Sequence, residues 1–470
     1  MGRIMPRLAW FTPLPPVRSG VAQYSVELLP GLASTHDIDL FVDGHPDQFS
    51  SPDARMSVYS AHDFVWKHFR QRYDLIVYQL GNAPYHDYMW AYLARYPGLV
   101  VLHDGQLHHA RALQLLQQTR YDDYRDEFRY NHPGAQPDLA ELGIAGLLGS
   151  LTYPWPMRRV VVESARLVVV HNHWLASQLR AEHERASVTV IEMGVPPPVA
   201  RADASEIIRT RHGIPADAVL FMAFGKVTPE KRISQAIHGL ASIVESIPNL
   251  HLLLVGEAVD YYDPLGEASA LGVTDHVTTV GFVPHEETGE YFAAADVCLC
   301  MRWPSTRETS GSWLRCLAAG RPTVITDLVH TVDIPALDPR SWTLQYAPPI
   351  PDDESAWPAP AEPACVSIDI LDEDHSLRLA MRRLAADARL RVELGQGART
   401  LWMERFTLDN MVSGYREAIE AACAAPLPDS ARRSSLPGHF LTDGTEHAAR
   451  LLRRMGLPES RISQIWRAQT

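Results

Sequence analysis

The sequence of 470 residues lacks the features that mark several classes of protein. No apolar run approaches the roughly 18 residues that a membrane-spanning helix needs, so no integral membrane protein is predicted. The five cysteines have no metal-like spacing, which predicts reduced thiols in the cytoplasm. The N-terminal residues 1–16 have no apolar core of signal-peptide length, and we expect them to be unprocessed.

Positive charge is also scarce. The formal net charge of -13 argues against non-specific binding of nucleic acid, which requires a basic face, so no nucleic-acid partner is expected. A local basic pocket for a phosphorylated ligand is still compatible with this balance. Hydrophobic residues make up 46% and charged residues 21%, which is typical of a globular protein, and the length predicts two domains.

Short apolar runs recur along the chain, each followed by a longer helix-like stretch. Such continuous runs are typical of strands buried on both faces of a parallel sheet, with helical crossovers between them. The predicted fold class is α/β, with two Rossmann-like, doubly wound domains that face each other across a cleft. The runs are 7–12, 38–43, 75–80, 99–104, 167–172 and 188–193 in the first half, then 219–225, 250–256, 276–282, 296–301 and 322–327.

Residues 307–322, RETSGSWLRCLAAGRP, place one carboxylate before three small residues and a predicted helix. Ser310, Gly311 and Ser312 leave the backbone open to close approach by a ligand. A helix N-terminus behind such a turn favours an anion, because its unpaired N–H groups and its dipole both attract negative charge. The alternative is a capped core helix in which Glu308 only complements the dipole.

Residues 224–232, FGKVTPEKR, predict a second anion-binding feature. Gly225 lets the chain turn after a strand, and Lys226 and Lys231 can converge on a diphosphate as compact charges. A solvated basic loop is the alternative. The Ser/Gly turn of residues 307–322 is expected at the same edge of the same sheet, and this favours the phosphate site.

Two strand ends in the first half carry further candidates. Gly20 stands where a helix beginning near Val21 would point its N-terminus into the cleft, although the GxGxxG fingerprint of dinucleotide sites is missing. His103, with Asp104 to orient it, could hydrogen-bond a sugar hydroxyl or a phosphate. A structural role for this histidine stays open.

No metal site is predicted. His171 and His173, in the sequence HNH, are expected on one face of a strand without a third ligand. Asp37 and Asp39, in the sequence DID, are expected in a turn before a strand, and no metal-binding DxD site is implied. No pair of carboxylates is found that would flank a scissile bond as in a retaining glycosidase.

Taken together, these motifs resemble those of the retaining glycosyltransferases of family 4, which have the GT-B fold. The likeness covers about residues 7–423. It is densest over 219–327, where AFGKVTPEKR, VTTVGFVPHEETGEYFAAADVCLC and ETSGSWLRCLAAGRPTVITD follow one another in the family's order. FTPLPPVRSGVAQYS resembles the family's N-terminal glycine loop, and VVVHNHWLASQLR resembles the end of its first domain.

The resemblance implies roles for individual residues. Lys226 and Lys231 would hold the diphosphate of a nucleotide-sugar donor, Glu308 would hold a hydroxyl of its sugar, and His103 would lie nearby. The backbone around Gly311 would meet the phosphate. The expected catalytic residues are therefore Lys231, Glu308 and His103, and the expected donor-binding residues are Gly20, Gly225, Lys226, Gly281, Phe282, Val283, Ser310, Gly311, Ser312 and Arg315.

One departure from the family pattern concerns the nucleotide. The family's Glu-x7-Glu pattern requires a second carboxylate where this chain has Cys316, and counting back from AAG gives Arg315 instead. That glutamate normally holds the donor ribose, so the identity of the nucleotide stays open. Arg315 could replace it as a hydrogen-bond donor, or could pair with a charge within the C-terminal domain.

The resemblance also implies how the chain is divided. Residues 1–195 would form the N-terminal, acceptor-side domain, 196–205 a Pro-rich linker, and 206–400 the domain that binds the nucleotide sugar. A helix at 401–423 would cross back to the N-terminal domain. Residues 424–470 would form a connector and a tail.

Two segments outside these domains have a distinctive composition. Residues 348–364 are rich in Pro and Ala and predict a surface loop. Residues 445–467 predict a basic amphipathic helix. Such a helix can contact an anionic membrane, or can pack on its own protein with its arginines solvated.

The implied activity is metal-independent transfer of a hexose-type sugar from a nucleoside-diphosphate donor to an acceptor hydroxyl, with retention and without a cofactor. The acceptor could be a glycan, a lipid-linked glycan or a small molecule, and a role in polysaccharide or glycoconjugate synthesis is expected. The expected location is the cytoplasm or the inner face of the membrane. A GT-B phosphorylase, a sugar-nucleotide epimerase and a non-catalytic sugar-nucleotide-binding protein are the alternatives.

Overall fold

The computed structural model describes residues 5–147, 149–345, 362–429, 434–442 and 453–456. Most of the predicted loop at 348–364 and of the predicted tail helix at 445–467 lies outside these ranges. No helix within them is long and apolar enough to cross a bilayer.

The N-terminal domain is built on a parallel sheet. Within the described residues its strands are β1 (Arg7–Phe11), β2 (Asp37–Val42), β3 (Ser57–Ser60), β4 (Leu75–Leu80), β5 (Leu99–Leu102), β6 (Leu167–Val170) and β7 (Val188–Val190). They lie in the order β3-β2-β1-β4-β5-β6-β7 with every pairing parallel. The order reverses between β1 and β4, which opens a crevice at the carboxyl ends of the strands.

The C-terminal domain repeats this plan. In the part of the chain that the structure describes, its strands are β8 (Val219–Phe224), β9 (Leu250–Val255), β10 (Val277–Gly281), β11 (Val297–Leu299), β12 (Thr323–Thr326), β13 (Ala336–Leu337), β14 (Leu344–Gln345) and β15 (Cys365–Ile368). Their order is β10-β9-β8-β11-β12-β15-β13-β14, and β13 and β14 pair antiparallel at one edge.

Helices cover both faces of each sheet, so the strands are buried on both sides. The described helices are α1 (Gly20–Leu32), α2 (Phe64–Arg70), α3 (Met89–Arg95), α4 (His108–Gln117), α5 (Tyr121–Asn131), α6 (Asp138–Ile144), α7 (Arg159–Ser164), α8 (His173–Glu182), α9 (Ala204–Arg211), α10 (Ile233–Val244), α11 (Pro264–Ala270), α12 (Thr288–Ala294), α13 (Gly311–Ala318), α14 (Glu373–Ala386), α15 (Ala388–Arg405), α16 (Leu408–Ala424) and α17 (Gly438–Leu441).

Each apolar run singled out in the sequence overlaps one strand of a sheet, and most of the strands begin and end within two residues of the predicted bounds. The expectation that Asp37 and Asp39 lie in a turn is wrong, because both belong to β2. Asp39 is buried there and accepts a hydrogen bond from the Arg7 guanidinium at 2.7 Å. This ion pair lets a carboxylate lie inside a sheet.

Helix α16 follows the C-terminal domain in the chain but packs into the core of the N-terminal domain. Its Tyr415 hydroxyl lies 2.6 Å from the Tyr24 hydroxyl of α1, and its ring centroid lies 5.7 Å from that of Trp10. Met411 and Ile419 of α16 belong to the same buried cluster. The two domains are therefore tied together by this return of the chain as well as by the linker.

Candidate active site

Lys231 lies beneath the turn that follows β8. Its ammonium donates to the Phe224 carbonyl at 2.9 Å, and a Cβ placed on Gly225 would lie 2.4 Å from Nζ. Gly225 also has a φ of +97°, so both conformation and space require glycine there. Burial, and then the charge of Arg302, lower the pKa of Lys231 to about 7. An anion bound beside it would favour the charged form.

The Ser/Gly turn leads directly into α13, as predicted. Ser310 is the N-cap, and its Oγ accepts from Trp313 N at 3.3 Å. The N–H groups of Gly311 and Ser312 are thus left in the first turn with no intrahelical acceptor. Ser312 Oγ would lie 3.9 Å from a Cβ on Gly225, so the first turn of α13 faces the turn that covers Lys231. The two predicted anion-binding features lie together.

Glu308 lies in the segment between β11 and α13. Its Oε2 accepts from Thr306 Oγ1 at 2.5 Å and from Ser305 Oγ at 3.1 Å, and its Oε1 lies 2.6 Å from Arg302 Nε. Burial works to raise the pKa of Glu308, but the Arg302 charge and the Thr306 hydroxyl outweigh it and hold the pKa below its usual value. Glu308 is therefore an ionised hydrogen-bond acceptor at neutral pH.

The segment that carries Glu308 is held against the N-terminal domain. Gly105 N donates to the Thr306 carbonyl at 2.8 Å, and Asn172 Nδ2 donates to the Arg307 carbonyl at 3.0 Å. The Arg307 guanidinium lies 4.3 Å from the centre of the Trp174 ring. These contacts join the carboxyl ends of β5 and β6 to the C-terminal domain, so the cleft is closed at this point.

His103 lies at the end of β5, as predicted, but is packed into the domain. Its Nε2 is 2.7 Å from Gln79 Oε1, and its ring centroid lies 4.7 Å from that of Tyr24 and 5.1 Å from that of His171. Burial lowers the pKa of His103 well below its usual value, so the ring is neutral. The expectation that Asp104 orients His103 is wrong, because Gln79 is the partner.

Asp104 instead links the two domains. Its Oδ2 accepts from Asn82 N at 2.7 Å, and its Oδ1 lies 2.7 Å from Thr306 Oγ1 of the C-terminal domain. Burial, and then the charge of Glu308, raise the pKa of Asp104 to about 6. Two carboxyl groups therefore share one hydroxyl at the closed part of the cleft.

Arg315 also bridges the domains. Its Nη2 donates to both carboxylate oxygens of Glu27 on α1, at 2.7 Å and 3.0 Å, and His285 Nε2 lies 3.2 Å from the same carboxylate. Burial works to raise the pKa of Glu27, but His285 and Arg315 outweigh it and lower the pKa. A charge partner within the C-terminal domain was one expectation for Arg315, and it is wrong because the partner lies across the cleft. Cys316 is buried.

The predicted base-binding segment lies at the end of β10. Gly281 has a φ of +80°, Val283 is half-buried, and Phe282 exposes 52% of its surface. The Arg18 guanidinium of the N-terminal domain lies 4.2 Å from the centre of the Phe282 ring and 3.7 Å from Glu257. An exposed ring between the two domains offers a stacking surface to a planar ligand.

Gly20 lies at the start of α1, and Lys226 lies on the turn that follows β8. Gly20 begins α1, with Ser19 as N-cap accepting from Ala22 N at 3.0 Å. A Cβ on Gly20 would meet no atom within 4 Å, so there is free space beside this residue. Lys226 is exposed on the same turn as Gly225.

The HNH motif does not form one face of a strand, and that expectation is wrong. His171 follows β6, Asn172 is the N-cap of α8 and His173 is the first residue of that helix. Across the described ranges, no group of three His, Cys, Asp or Glu side chains is placed to hold a metal ion.

Sequence reasoning missed three of the side chains that complete this site. Arg302 and Thr306 follow β11 at the functional edge of the sheet, and the strand-end rule that selected His103 would also have selected them. Glu27 lies in the middle of α1, where no local pattern distinguishes it from any solvated glutamate.

Two facing Rossmann-like domains with a site between them define the GT-B fold, as predicted. Among solved structures, sucrose-phosphate synthase from Thermosynechococcus elongatus superimposes with a TM-score of 0.60 at 17% identity, covering 88% of this chain and 100% of that one. HepE from Anabaena, in complex with UDP-glucose, gives a TM-score of 0.58 at 14% identity, covering 88% and 99%. At such identities the likeness establishes the fold alone.

Sequence comparison adds a family match for the second half. Residues 218–337 match the family model "Glycosyl transferases group 1". D-inositol 3-phosphate glycosyltransferase from Stackebrandtia nassauensis is 30% identical over 292 residues, which are 58% of this chain and 60% of that protein. The chain spans between 30% and 60% of the lengths of the curated relatives that it matches. The match and the fold together support a GT-B glycosyltransferase.

Proposed function

We propose that the protein is a retaining glycosyltransferase that moves a sugar from a nucleoside-diphosphate donor to an acceptor hydroxyl. The observation that carries this proposal is the convergence of Lys231 with the open first turn of α13. Negative charge grows on a diphosphate as its bond to the sugar breaks. A lysine and N–H dipoles already fixed in place stabilise that charge without reorganisation.

The individual residues suit this reaction. Lys231 and the N–H groups of Gly311 and Ser312 would meet the leaving diphosphate, with Lys226 on the same turn. Glu308, ionised and half-buried, would accept a hydrogen bond from a hydroxyl of the transferred sugar. Asp104, the carboxyl group that shares the Thr306 hydroxyl with Glu308, is held by Asn82 N and Thr306 Oγ1 and is assigned no role as a nucleophile. Stabilisation of the leaving group is therefore the main source of catalysis in this proposal.

The proposal also divides the substrates between the domains. Residues 206–400 would hold the donor, with its base against Phe282, and residues 1–195 would hold the acceptor. HepE, a neighbour in fold, is described as bound to UDP-glucose, which makes a uridine donor the first to test. No metal or cofactor is assigned a role, and a place in polysaccharide or glycoconjugate synthesis in the cytoplasm follows from the family resemblance.

A thermal-shift and turnover experiment tests the proposal. Purified protein is incubated with UDP-, GDP- and ADP-glucose, since a ligand at 100 times its Kd adds about 2.7 kcal/mol to apparent stability. We expect one of these donors to raise Tm. That donor should release its nucleoside diphosphate slowly by hydrolysis, and faster when an acceptor is added.

Variants and rival activities supply the controls. Lys231→Ala should keep part of the shift but lose most of the turnover. Lys67→Ala is the matched control, since Lys67 lies on α2 and pairs with Asp39 on β2 of the N-terminal domain. Turnover that requires inorganic phosphate would indicate a phosphorylase. An epimerised sugar nucleotide formed without acceptor would indicate an epimerase, and binding without any turnover would indicate a non-catalytic protein.

A further inference from the structure

An open pocket of about 630 Å³ lies in the C-terminal domain, at the edge of the sheet opposite to the cleft. Asp296 directly precedes β11 and Arg321 lies just before β12, so both are at the amino ends of these strands. Helix α15 contributes Arg391 and Arg399 to the same pocket. A pocket of this volume is large enough to hold a small ligand such as a monosaccharide derivative.

A close backbone contact fixes the shape of this pocket. Gly320 ends α13 with a φ of +63°, and a Cβ on Gly395 of α15 would clash with the Gly320 carbonyl oxygen. Arg321 follows Gly320 in the chain, and Arg399 lies one helical turn after Gly395. The contact between the two glycines therefore sets the distance between the two arginines before any ligand is bound.

The guanidinium of Arg321 is free to bind a ligand. Its side chain makes no ion pair or hydrogen bond within the residues that the structure describes, and only its Nε is enclosed by protein. Both Nη groups therefore reach the solvent of the pocket. Two parallel N–H donors in a rigid plane match the geometry of a phosphate or carboxylate group.

Arg391 and Arg399 each keep donors for a ligand as well. Arg391 Nη1 donates to the Leu384 carbonyl at 2.7 Å, and Arg399 Nη1 donates to the Ala318 carbonyl, so each guanidinium caps the end of a helix with one nitrogen. The Nε and Nη2 groups of both residues have no hydrogen-bond partner in the described ranges, and none is enclosed. Capping explains part of these two side chains, but it does not explain Arg321.

The charge of the pocket favours an anion. Among its described lining residues, three guanidinium groups accompany one carboxylate, although the chain has a formal net charge of -13. The carboxylate is that of Asp296, whose Oδ2 accepts from Arg209 Nη2 at 2.9 Å and from Leu220 N at 2.8 Å. Its Oδ1 has no donor among the described residues and can accept a hydrogen bond from a ligand hydroxyl.

We propose that this pocket binds a phosphorylated sugar or polyol. Arg321, Arg391 and Arg399 hold the phosphate, and Asp296 accepts a hydrogen bond from a hydroxyl of the same ligand. A dianionic phosphate monoester matches three cations better than a single carboxylate does. The site is separate from the proposed donor site, because it lies at the C-terminal end of α13, whereas Gly311 and Ser312 lie at its N-terminal end, about 12 Å away along eight residues.

Isothermal titration calorimetry on the full chain tests the inference with glucose 6-phosphate, glucose and inorganic phosphate. We expect glucose 6-phosphate to bind at least tenfold more tightly than inorganic phosphate, and glucose not to bind measurably. Arg321→Met keeps the length of the side chain and removes its donors, so it should weaken glucose 6-phosphate binding at least tenfold. Arg321→Lys keeps the charge without the paired donors and should fall between Arg321→Met and wild type. Arg382→Met, at an exposed position of α14, is the matched control.

A second measurement locates the ligand. Bound glucose 6-phosphate should slow hydrogen–deuterium exchange over residues 319–323 and 388–400, and Lys231→Met should leave this protection and the affinity unchanged. Near-UV circular dichroism shows whether Arg321→Met is folded, and Arg321→Lys serves if it is not. The inference would be overturned if glucose 6-phosphate did not bind, if inorganic phosphate bound equally well, if the folded Arg321 variants bound like wild type, or if protection appeared only over 224–232 and 308–314.

Discussion

Asp104 and Glu308, one from each domain, are joined through a single hydroxyl. Thr306 Oγ1 lies 2.7 Å from Asp104 Oδ1 and 2.5 Å from Glu308 Oε2. One hydroxyl carries one proton and can donate to only one carboxylate, so both contacts are hydrogen bonds only if a carboxyl supplies a second proton. Asp104 supplies it below its pKa of about 6, and Thr306 then donates to Glu308.

Replacing Asp104 with Asn should stabilise the protein above pH 6. The amide can accept from Asn82 N and donate to Thr306, so Asp104→Asn keeps the contacts and removes a buried like-charge pair. An acid with a raised pKa binds more protons when folded, so its contribution to stability falls as pH rises from about 4 to about 6. Over that window wild type should lose up to about 3 kcal/mol relative to Asp104→Asn.

Urea unfolding of both proteins at several pH values measures this difference. Thr35→Val, on the surface after α1, is a control that alters a hydroxyl elsewhere. If the difference in unfolding free energy between wild type and Asp104→Asn stayed constant from pH 4.5 to pH 8, the protonation of Asp104 beside the Thr306 hydroxyl would be contradicted.

Loss of Lys231 should damage turnover more than donor binding. If Lys231 neutralises charge that grows on the leaving diphosphate, its contribution is larger in the transition state than in the ground state. We expect Lys231→Ala to lower kcat/KM by roughly 100-fold or more, on the scale of one preorganised electrostatic contact. Steady-state kinetics on the donor identified by thermal shift measure this. Activity of Lys231→Ala within a factor of two of wild type would show that Lys231 takes no part in catalysis.

Glu308→Gln tests whether a charge, and not only a polar group, holds the sugar. The amide keeps the shape of the side chain, but it is a weaker acceptor than a carboxylate. We expect kcat/KM to fall at least about tenfold, since hydrogen bonds to charged groups contribute roughly 1.5–3 kcal/mol. Glu286→Gln, on the turn before α12, is the matched control. Equal kinetics for the two variants would assign Glu308 a structural role.

The affinity for a nucleoside diphosphate should fall as pH rises above about 7. In the unliganded protein the pKa of Lys231 is about 7, so above that pH the side chain is mostly neutral and must take up a proton to meet the diphosphate. The limiting slope is about tenfold in Kd per pH unit. Calorimetry in buffers of different ionisation enthalpy reports the proton uptake. Lys231→Met should abolish it, and uptake that persists in this variant would point to another group.

The Arg315–Glu27 pair should hold the cleft closed. Both side chains are mostly buried, at 17% and 9% exposure, and the pair spans the domains. Arg315→Met and Glu27→Gln should each raise the radius of gyration in small-angle scattering. The double variant should match the single ones, because either change alone removes the ion pair. An equal radius of gyration for wild type, the two single variants and the double variant would show that other contacts hold the cleft closed.

The structural features that could be predicted from the sequence are those encoded by residues close together in the chain. The run LIVYQL predicts β4 with its exact bounds, because a strand buried on both faces needs an unbroken apolar run. The half-buried β3, SVYS, lies at the sheet edge and has no such run, so its pattern is too weak to detect. The prediction for Asp39 fails for a different reason. Its carboxylate can be buried in a strand because it accepts a hydrogen bond from Arg7, which lies 32 positions away.

The same distinction applies to the site. The turn over Lys231 and the N-terminus of α13 are each encoded within a few residues, and the parallel sheet brings them together. The partner of His103 is Gln79 on the neighbouring strand, and the partner of Arg315 is Glu27, 288 positions away. The first pair depends on which strands are neighbours in the sheet and the second on how the two domains face each other, and neither arrangement can be deduced from a single sequence.

Helix α16 imposes an order on the assembly of the chain. Tyr415 contacts Tyr24, which lies 391 positions earlier in the chain. The core of the N-terminal domain is therefore the first to be synthesised, but it is completed only when α16 has been added. Until then Trp10 and its neighbours form an apolar groove without its covering helix, and contacts of such separation form slowly. A fragment that ends after the C-terminal sheet would keep that groove open. Chaperone binding to the nascent chain should therefore persist until α16 has been synthesised.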